Sequence, residues 1–121
     1  MRRARVVVVL IMAVAVLFGC SQKAVKPTPT PALDGILQKG ELVVGTAASM
    51  PPLNMTTKDG EIIGFEIDLA RKMASAMGVK LRLEPMEFSK LLPALESGKV
   101  DMVLSGMTIT PARNLKVAFV G

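Results

Sequence analysis

Histidine, tryptophan and tyrosine are all absent from the 121-residue chain, and cysteine occurs only once. A single cysteine excludes an internal disulfide bond. Without histidine, and with carboxylates that do not cluster at ligand spacing, the sequence supplies no metal-binding set. It also lacks a phosphate-loop signature. We therefore expect neither a metal ion nor another cofactor.

A strong excess of positive charge is also missing from most of the chain. The formal net charge is +5, but Arg2, Arg3 and Arg5 contribute three of those charges at the extreme N-terminus. Without them, 12 basic residues face 10 acidic ones, and the remaining charge is only +2. Four phenylalanines are the only aromatic residues, so few side chains could stack on bases. This composition argues against a nucleic-acid partner.

No apolar run is long enough to cross a bilayer, which takes about 20 residues. The longest run, Val6–Phe18, has 13 residues, follows three arginines and precedes the small residue Gly19. This pattern is typical of a secretory signal peptide and predicts one over residues 1–19. A short core helix is the alternative.

The residues after this run indicate attachment to a membrane. Leu17–Cys20 resembles the bacterial lipobox, in which the cysteine is lipidated and becomes the mature N-terminus. Cys20 is therefore the predicted lipid-attachment residue, with a chance buried thiol as the alternative. Residues 20–33 are rich in proline and contain almost nothing that could pack, which predicts an extended tether. We expect an exported protein, in the periplasm or at the cell surface, held to the membrane by its N-terminal lipid.

Residues 34–121 carry the patterns of an α/β domain. Strand and helix patterns alternate in the order βαβαβ, which predicts a parallel sheet with flanking helices. On the first long helix, one apolar row at i, i+4 spacing is formed by Phe65, Leu69, Met73 and Met77. The predicted elements are a short helix in Leu33–Gly40, a strand Glu41–Thr46, a hairpin of Asn54–Thr56 with Glu61–Ile63, a helix Phe65–Met77, a strand Val79–Pro85, a helix capped by Ser89 and ending near Ser97, a strand Val100–Leu104, a helical turn from Pro111 and the start of a strand at Val117–Val120.

Three loops are predicted to meet at one edge of this sheet. Because parallel strands end at the same edge, the loops 47–53, 86–89 and 105–113 should converge there, and ligands bind at that carboxyl edge. The convergence favours a binding site.

The last of these loops has residues suited to an anion. It leaves a strand and enters a helix, with Thr110 as the expected N-cap and a proline as the first helical residue. Ser105 and Thr108 supply hydroxyls, Gly106 lets a ligand approach the backbone, and Arg113 supplies a fork that fits a carboxylate. The alternative is an ordinary strand-to-helix turn with a solvated arginine.

Six short motifs, in order, resemble the bacterial extracellular solute-binding proteins of the polar amino-acid class, family 3. Each motif is weak alone, but six at the family's spacing make a strong signal. The motifs are Gly40–Gly45, Pro51–Pro52, Gly64–Ala70, Pro85–Phe88 leading to Leu92–Leu95, Gly98–Asp101, and Gly106–Thr110 with Arg113.

The resemblance implies part of the first lobe of a type II periplasmic-binding-protein fold. Family members have two α/β lobes that close on the ligand, and residues 34–121 correspond to the N-terminal part of lobe one, so the chain is expected to be a fragment without the second lobe. By the same resemblance, Arg113 binds the ligand α-carboxylate, and Gly106 and Thr108 contact its amino and carboxylate groups. Phe88 packs on the ligand, unless it is a plain core aromatic. Met50 stands where the family usually has an aromatic, unless it is a loop residue without a role.

The function implied is that of a binding component of an ABC importer. Its partners would be an amino acid or a similar small carboxylate, ABC permease subunits and, through the lipid, a membrane. One alternative is an enzyme on the same fold, such as a cyclohexadienyl dehydratase or a protein associated with cell-wall lyases. That chemistry needs an acid or a base in the cleft, and Glu87 is the only carboxylate expected near the three loops. Another alternative is the sensor domain of a signalling receptor.

Overall fold

The computed structural model describes residues 30–120. The predicted signal peptide, Cys20 and most of the predicted tether lie outside the described residues. The elements are α1 (Pro31–Lys39), β1 (Glu41–Thr46), β2 (Ser49–Met50), β3 (Asn54–Thr56), β4 (Ile62–Ile63), α2 (Phe65–Met77), β5 (Lys80–Pro85), α3 (Phe88–Glu96), β6 (Met102–Val103) and α4 (Pro111–Asn114).

The main sheet has three parallel strands in the order β5-β1-β6. β1 pairs with β5 along its whole length, from Glu41 opposite Lys80 to Thr46 opposite Pro85. On its other side, β1 pairs with β6 through Val44 and Gly45. The predicted α/β class with a parallel sheet and flanking helices is confirmed.

β1 forms the centre of the core because it is buried on both faces. Leu42 and Val44 pack with Ile36 of α1 and with two alanines of α2 on one side of the sheet. Val43 packs with Ala94 of α3 on the other side. The continuous apolar sequence of β1, without polar alternation, is thus explained by a helix layer on each face.

α2 has the predicted bounds but not the predicted buried face. Its buried residues are Ile67, Ala70 and Ala74, whereas Phe65 is 68% exposed and Leu69 is also exposed. Both rows satisfy helical spacing, and the small alanines let the helix approach β1 closely. The apolar row headed by Phe65 therefore lies beside the packed row, and only Met73 and Met77 reach the core.

Several other boundaries differ from the predictions. α1 begins at Pro31, so the end of the predicted tether is helical. α3 begins at Phe88 after Glu87, which makes no side-chain cap bond, so Ser89 is inside the helix rather than its N-cap.

The last strands are shorter than predicted. β6 consists of Met102 and Val103 only. Asp101, just before it, contacts β1 in two ways: its backbone N–H donates to the Val43 carbonyl, and its side chain accepts from the Val43 N–H. Residues 117–120 form no strand, because an apolar run needs a ladder partner and has none within residues 30–120. A second, antiparallel sheet, β2-β3-β4, contains the predicted hairpin and adds β2, which was expected to be loop.

Among residues 30–120, no helix has the length and apolar character that crossing a membrane requires.

Candidate ligand-binding site

The carboxyl edge of the β5-β1-β6 sheet brings together the three loops that the sequence predicted there. Ser105, just after β6, is 1% exposed, and its hydroxyl accepts a hydrogen bond of 2.9 Å from the backbone N–H of Ala47, just after β1. This bond ties the first loop to the third. The Ser105 hydroxyl, expected to face a ligand, is therefore part of the wall that joins the loops.

Gly106 and Met50 are in direct contact. Gly106 has a left-handed φ of 56°, and a Cβ added there would lie 2.5 Å from the Met50 sulfur. A side chain at position 106 would combine a strained backbone with a collision, so glycine lets the first and third loops pack closely. Met50 is itself 37% exposed, so part of its side chain stays at the surface of the edge.

Arg113 is held on the first turn of α4 by its neighbours. The Thr110 hydroxyl accepts a bond of 3.3 Å from the Arg113 backbone N–H, which confirms Thr110 as the N-cap. The Arg113 guanidinium donates through Nη1 to the Thr108 carbonyl at 2.8 Å. Its Cζ lies 5.7 Å from the centre of the Phe88 ring, within the range of a cation–π contact.

The charge of Arg113 is not balanced locally, unlike that of the other described arginines. Arg71 forms ion pairs with Asp68 and Glu61. Arg82 forms ion pairs with two carboxylates, and the hydrogen bond that its guanidinium donates to Glu41 is the main cause of its raised pKa. Within residues 30–120, no carboxylate lies within ion-pair distance of Arg113. Its guanidinium keeps donors for an external anion.

The structure thus brings all six predicted site residues to this edge, where contacts link them to one another or to the first loop. Met50 contacts Gly106, Arg113 lies over Phe88 and bonds to the carbonyl of Thr108, and Ser105 joins the first loop. That they bind a ligand stays a prediction.

Glu66, in the first turn of α2, is a site residue that the sequence reasoning missed. Its Oε1 accepts a bond of 2.8 Å from the Gly106 backbone N–H, and its Oε2 accepts one of 2.6 Å from the side chain of Asn54. An acidic residue in the first turn of a helix is already accounted for by the helix dipole. No signal in the sequence indicated that Glu66 contacts a loop 40 positions away.

The expectation that Glu87 is the only carboxylate near the loops is therefore wrong. The Glu87 side chain is 71% exposed and pairs with Lys90 one turn further along α3. Glu66 is the carboxylate that reaches the third loop.

A cavity of about 710 Å³ adjoins this cluster on the open side of β6. Glu66, Ser105 and Gly106 form its shared wall with the loop cluster, and Val117–Val120 form the opposite wall. Met50, Phe88, Thr108 and Arg113 are not among the residues that line it. The cavity is therefore not lined by the arginine that the sequence predicted to bind a ligand.

No group of three or more His, Cys, Asp or Glu side chains suited to a metal ion occurs in the described part of the chain. The buried polar side chains of that part all have hydrogen-bond partners.

The family model of the bacterial extracellular solute-binding proteins, family 3, matches residues 42–121. The chain belongs to this family. The resemblance predicted from the six motifs is thereby confirmed.

The relatives include proteins that are named as binding different amino acids. The arginine-binding extracellular protein ArtP of Bacillus subtilis is 41% identical over 81 residues, which cover 67% of this chain and 31% of the relative. The L-cystine-binding protein TcyJ of Escherichia coli K12 is 32% identical over 109 residues, which cover 90% of this chain and 40% of the relative.

Solved structures show the same partial lobe. The arginine-bound form of domain 1 from the T. maritima protein TmArgBP has a TM-score of 0.71 and 42% identity, covering 73% of this chain and 70% of that one. The match confirms that the fold is part of a type II periplasmic-binding-protein lobe.

The family member described here spans about a third of the length of the curated relatives that it matches. The chain is also similar to a protein named as an enzyme: the membrane-bound lytic murein transglycosylase F of Maricaulis maris is 35% identical over 116 residues, a quarter of its length.

Proposed function

We propose that this chain provides an amino-acid-binding lobe of an ABC importer and that Arg113 binds the ligand α-carboxylate. The observation that carries the proposal is the arginine without a carboxylate partner among residues 30–120, held between Phe88 and the Thr108 carbonyl at the edge where the loops meet. The named relatives that bind arginine or cystine support an amino acid as the ligand.

The other site residues are proposed to contact the remaining groups of the ligand. A guanidinium fork can hold a carboxylate with two parallel hydrogen bonds, and the exposed Thr108 hydroxyl can add a third. Because the Gly106 N–H already donates to Glu66, the Gly106 carbonyl is the group left to accept from the ligand ammonium. Phe88 and Met50, both 37% exposed, offer apolar surface to the rest of the ligand.

We assign binding rather than catalysis to this edge because its carboxylates are engaged. Glu66 accepts bonds from two N–H groups, which suits an acceptor and not a proton donor. Glu87 is paired with a lysine at the surface.

The location and further partners belong to the same proposal. Residues 1–19 direct export, Cys20 carries the lipid, and residues that follow it hold the lobe away from the membrane. Permease subunits receive the ligand there. The positive, apolar N-terminal segment and the family's extracellular membership support this arrangement.

The test is calorimetric titration of the chain with L-arginine and with L-cystine, for the unchanged protein and for Arg113→Ala. Removing one partner of a desolvated charge pair costs about 2–5 kcal/mol, so we expect binding to weaken by at least about thirtyfold. Arg113→Lys keeps the charge but loses the fork, and its affinity should lie between the two.

Arg71→Ala is the matched control, because it removes an arginine that is already paired with carboxylates outside the site. It should leave the affinity unchanged. Equal affinities for Arg113→Ala and the unchanged protein would overturn the assignment of the carboxylate to Arg113.

A further inference from the structure

We infer that Glu66 is a positioning residue of the amino-acid site: its ionised carboxylate, with Asn54, sets the geometry of the loops that carry Met50 and Gly106. The inference deepens the proposed function and rests on it for the ligand, but the geometry on which it stands is internal to the chain. The four residues involved are Ser49 of β2, Asn54 of β3, Glu66 at the start of α2 and Gly106 in the loop after β6.

Three hydrogen bonds form one connected series, called the relay below, in which every bond is donated towards Glu66. The Ser49 backbone N–H donates to Asn54 Oδ1 at 3.1 Å. The Asn54 side-chain nitrogen donates to Glu66 Oε2 at 2.6 Å. At the other end, the Gly106 backbone N–H donates to Glu66 Oε1 at 2.8 Å.

Both ends of this relay are backbone N–H groups, and a backbone N–H can only donate. Ser49 therefore fixes the carbonyl side of the Asn54 amide, and the amide nitrogen must face Glu66. Glu66 receives a donor on each oxygen, so an acceptor-only group is required there. An ionised carboxylate meets this requirement, and a glutamine does not, because its NH₂ would face another N–H.

The relay acts on residues that face the proposed ligand. Asn54 is fully buried and pairs in the ladder with Met50, so it holds the strand that carries the Met50 thioether. Glu66 holds Gly106, against which that thioether packs. Loss of the Glu66–Gly106 bond would release the third loop. Thr108 lies further along this loop, and Arg113 lies on the helix that follows it.

Exchanging donors and acceptors at positions 54 and 66 tests whether their arrangement matters, and it separates this effect from a general loss of structure. Glu66→Gln puts two donors face to face, and Asn54→Asp puts two carboxylates face to face. In the double variant, the carboxylate introduced at position 54 accepts from the Ser49 N–H and from the amide nitrogen introduced at position 66. The amide carbonyl at position 66 then accepts from the Gly106 N–H. The double variant therefore restores every donor–acceptor pair and the net charge of the unchanged protein.

We expect each single variant to weaken L-arginine binding by about tenfold or to lower the melting temperature until the chain is partly unfolded. The double variant should recover the melting temperature and most of the affinity. The ¹⁵N-resolved amide proton of Gly106 should shift upfield in Glu66→Gln and return towards its original position in the double variant. Asp68→Asn, a change of an exposed carboxylate in the same helical turn, should alter none of the three readouts.

Two results would overturn the inference. One is a double variant no better than the worse single variant in melting temperature and Gly106 shift. The other is single variants that bind as tightly as the unchanged protein. If the unchanged chain binds neither L-arginine nor L-cystine while the double variant restores stability and the Gly106 shift, the proposed function fails and the relay stands.

Discussion

The two ends of the parallel sheet differ in how their arginines are paired. At the amino end, Lys39 pairs with Asp101 and Arg82 pairs with Glu41, so that charges are matched across neighbouring elements. At the carboxyl end, Arg113 has no carboxylate partner among residues 30–120, and Glu66 is bonded to neutral N–H groups.

The difference separates stability from binding. The paired charges at the amino end tie α1 and the start of β6 to β1, and Lys39 and Arg82 already have carboxylate partners there. The unmatched cation at the carboxyl end adds little to folding, but it is available to an incoming carboxylate. Changes at the first end should therefore alter the free energy of unfolding, and changes at the second should alter ligand affinity.

Asp101→Ala should have the largest of the three effects that test this comparison. The Asp101 side chain is 19% exposed and accepts from the Val43 backbone N–H at 2.8 Å as well as from Lys39. Its removal leaves a buried N–H of the central strand without an acceptor, at a cost of about 1–3 kcal/mol in unfolding free energy. Urea denaturation measures this loss.

Asp101→Asn is the control, because it keeps an acceptor for Val43 while it removes the charge, and it should lose less stability than Asp101→Ala. Both variants should keep the L-arginine affinity of the unchanged protein when titrated where they are folded. A loss of affinity comparable to that of Arg113→Ala would break the separation of the two ends.

Phe88→Leu should have a smaller effect, and it should lower the ligand affinity instead of the stability. It keeps apolar bulk but removes the ring beneath the Arg113 guanidinium, a contact worth about 0.5–1 kcal/mol at an exposed position. We expect L-arginine to bind about two- to fivefold more weakly, with an unchanged urea midpoint. Phe65→Leu, at an exposed phenylalanine of α2, is the matched control, and equal affinity losses in the two variants would contradict a specific role of Phe88.

Lys39→Ala should have the smallest effect. The Lys39 side chain is 45% exposed, so solvent and salt screen its pair with Asp101, and such pairs contribute about 0–1 kcal/mol. The loss of stability should be measurable at low salt and should decrease in 1 M NaCl, where the screening length is about 3 Å. A salt-independent loss would indicate that Lys39 stabilises the fold by packing instead of charge.

Local sequence patterns predicted much of the fold. The bounds of α2, the hairpin of Asn54–Thr56 with Glu61–Ile63 and the Thr110 cap follow from helix periodicity, turn chemistry and capping, which depend on neighbouring residues only. The parallel order also followed, because a βαβ sequence leaves few topologies. The convergence of the three loops was a consequence of that order.

Features that depend on distant partners could not be predicted in this way. Glu66 looked like a residue that complements a helix dipole, and its bond to Gly106 exists only once α2 has packed onto the β5-β1-β6 sheet. Phe65 matched the spacing of a buried row, but the alanines of the adjacent row allow closer packing. Val117–Val120 have strand-like composition, yet no ladder partner is present within residues 30–120.

The most direct test of the account is a crystal structure of the chain grown with L-arginine. We expect the ligand carboxylate to lie about 2.7–2.9 Å from the Arg113 guanidinium nitrogens, beside the Phe88 ring. A ligand whose carboxylate lies in the cavity beside β6, with Arg113 still donating only to the Thr108 carbonyl, would contradict it.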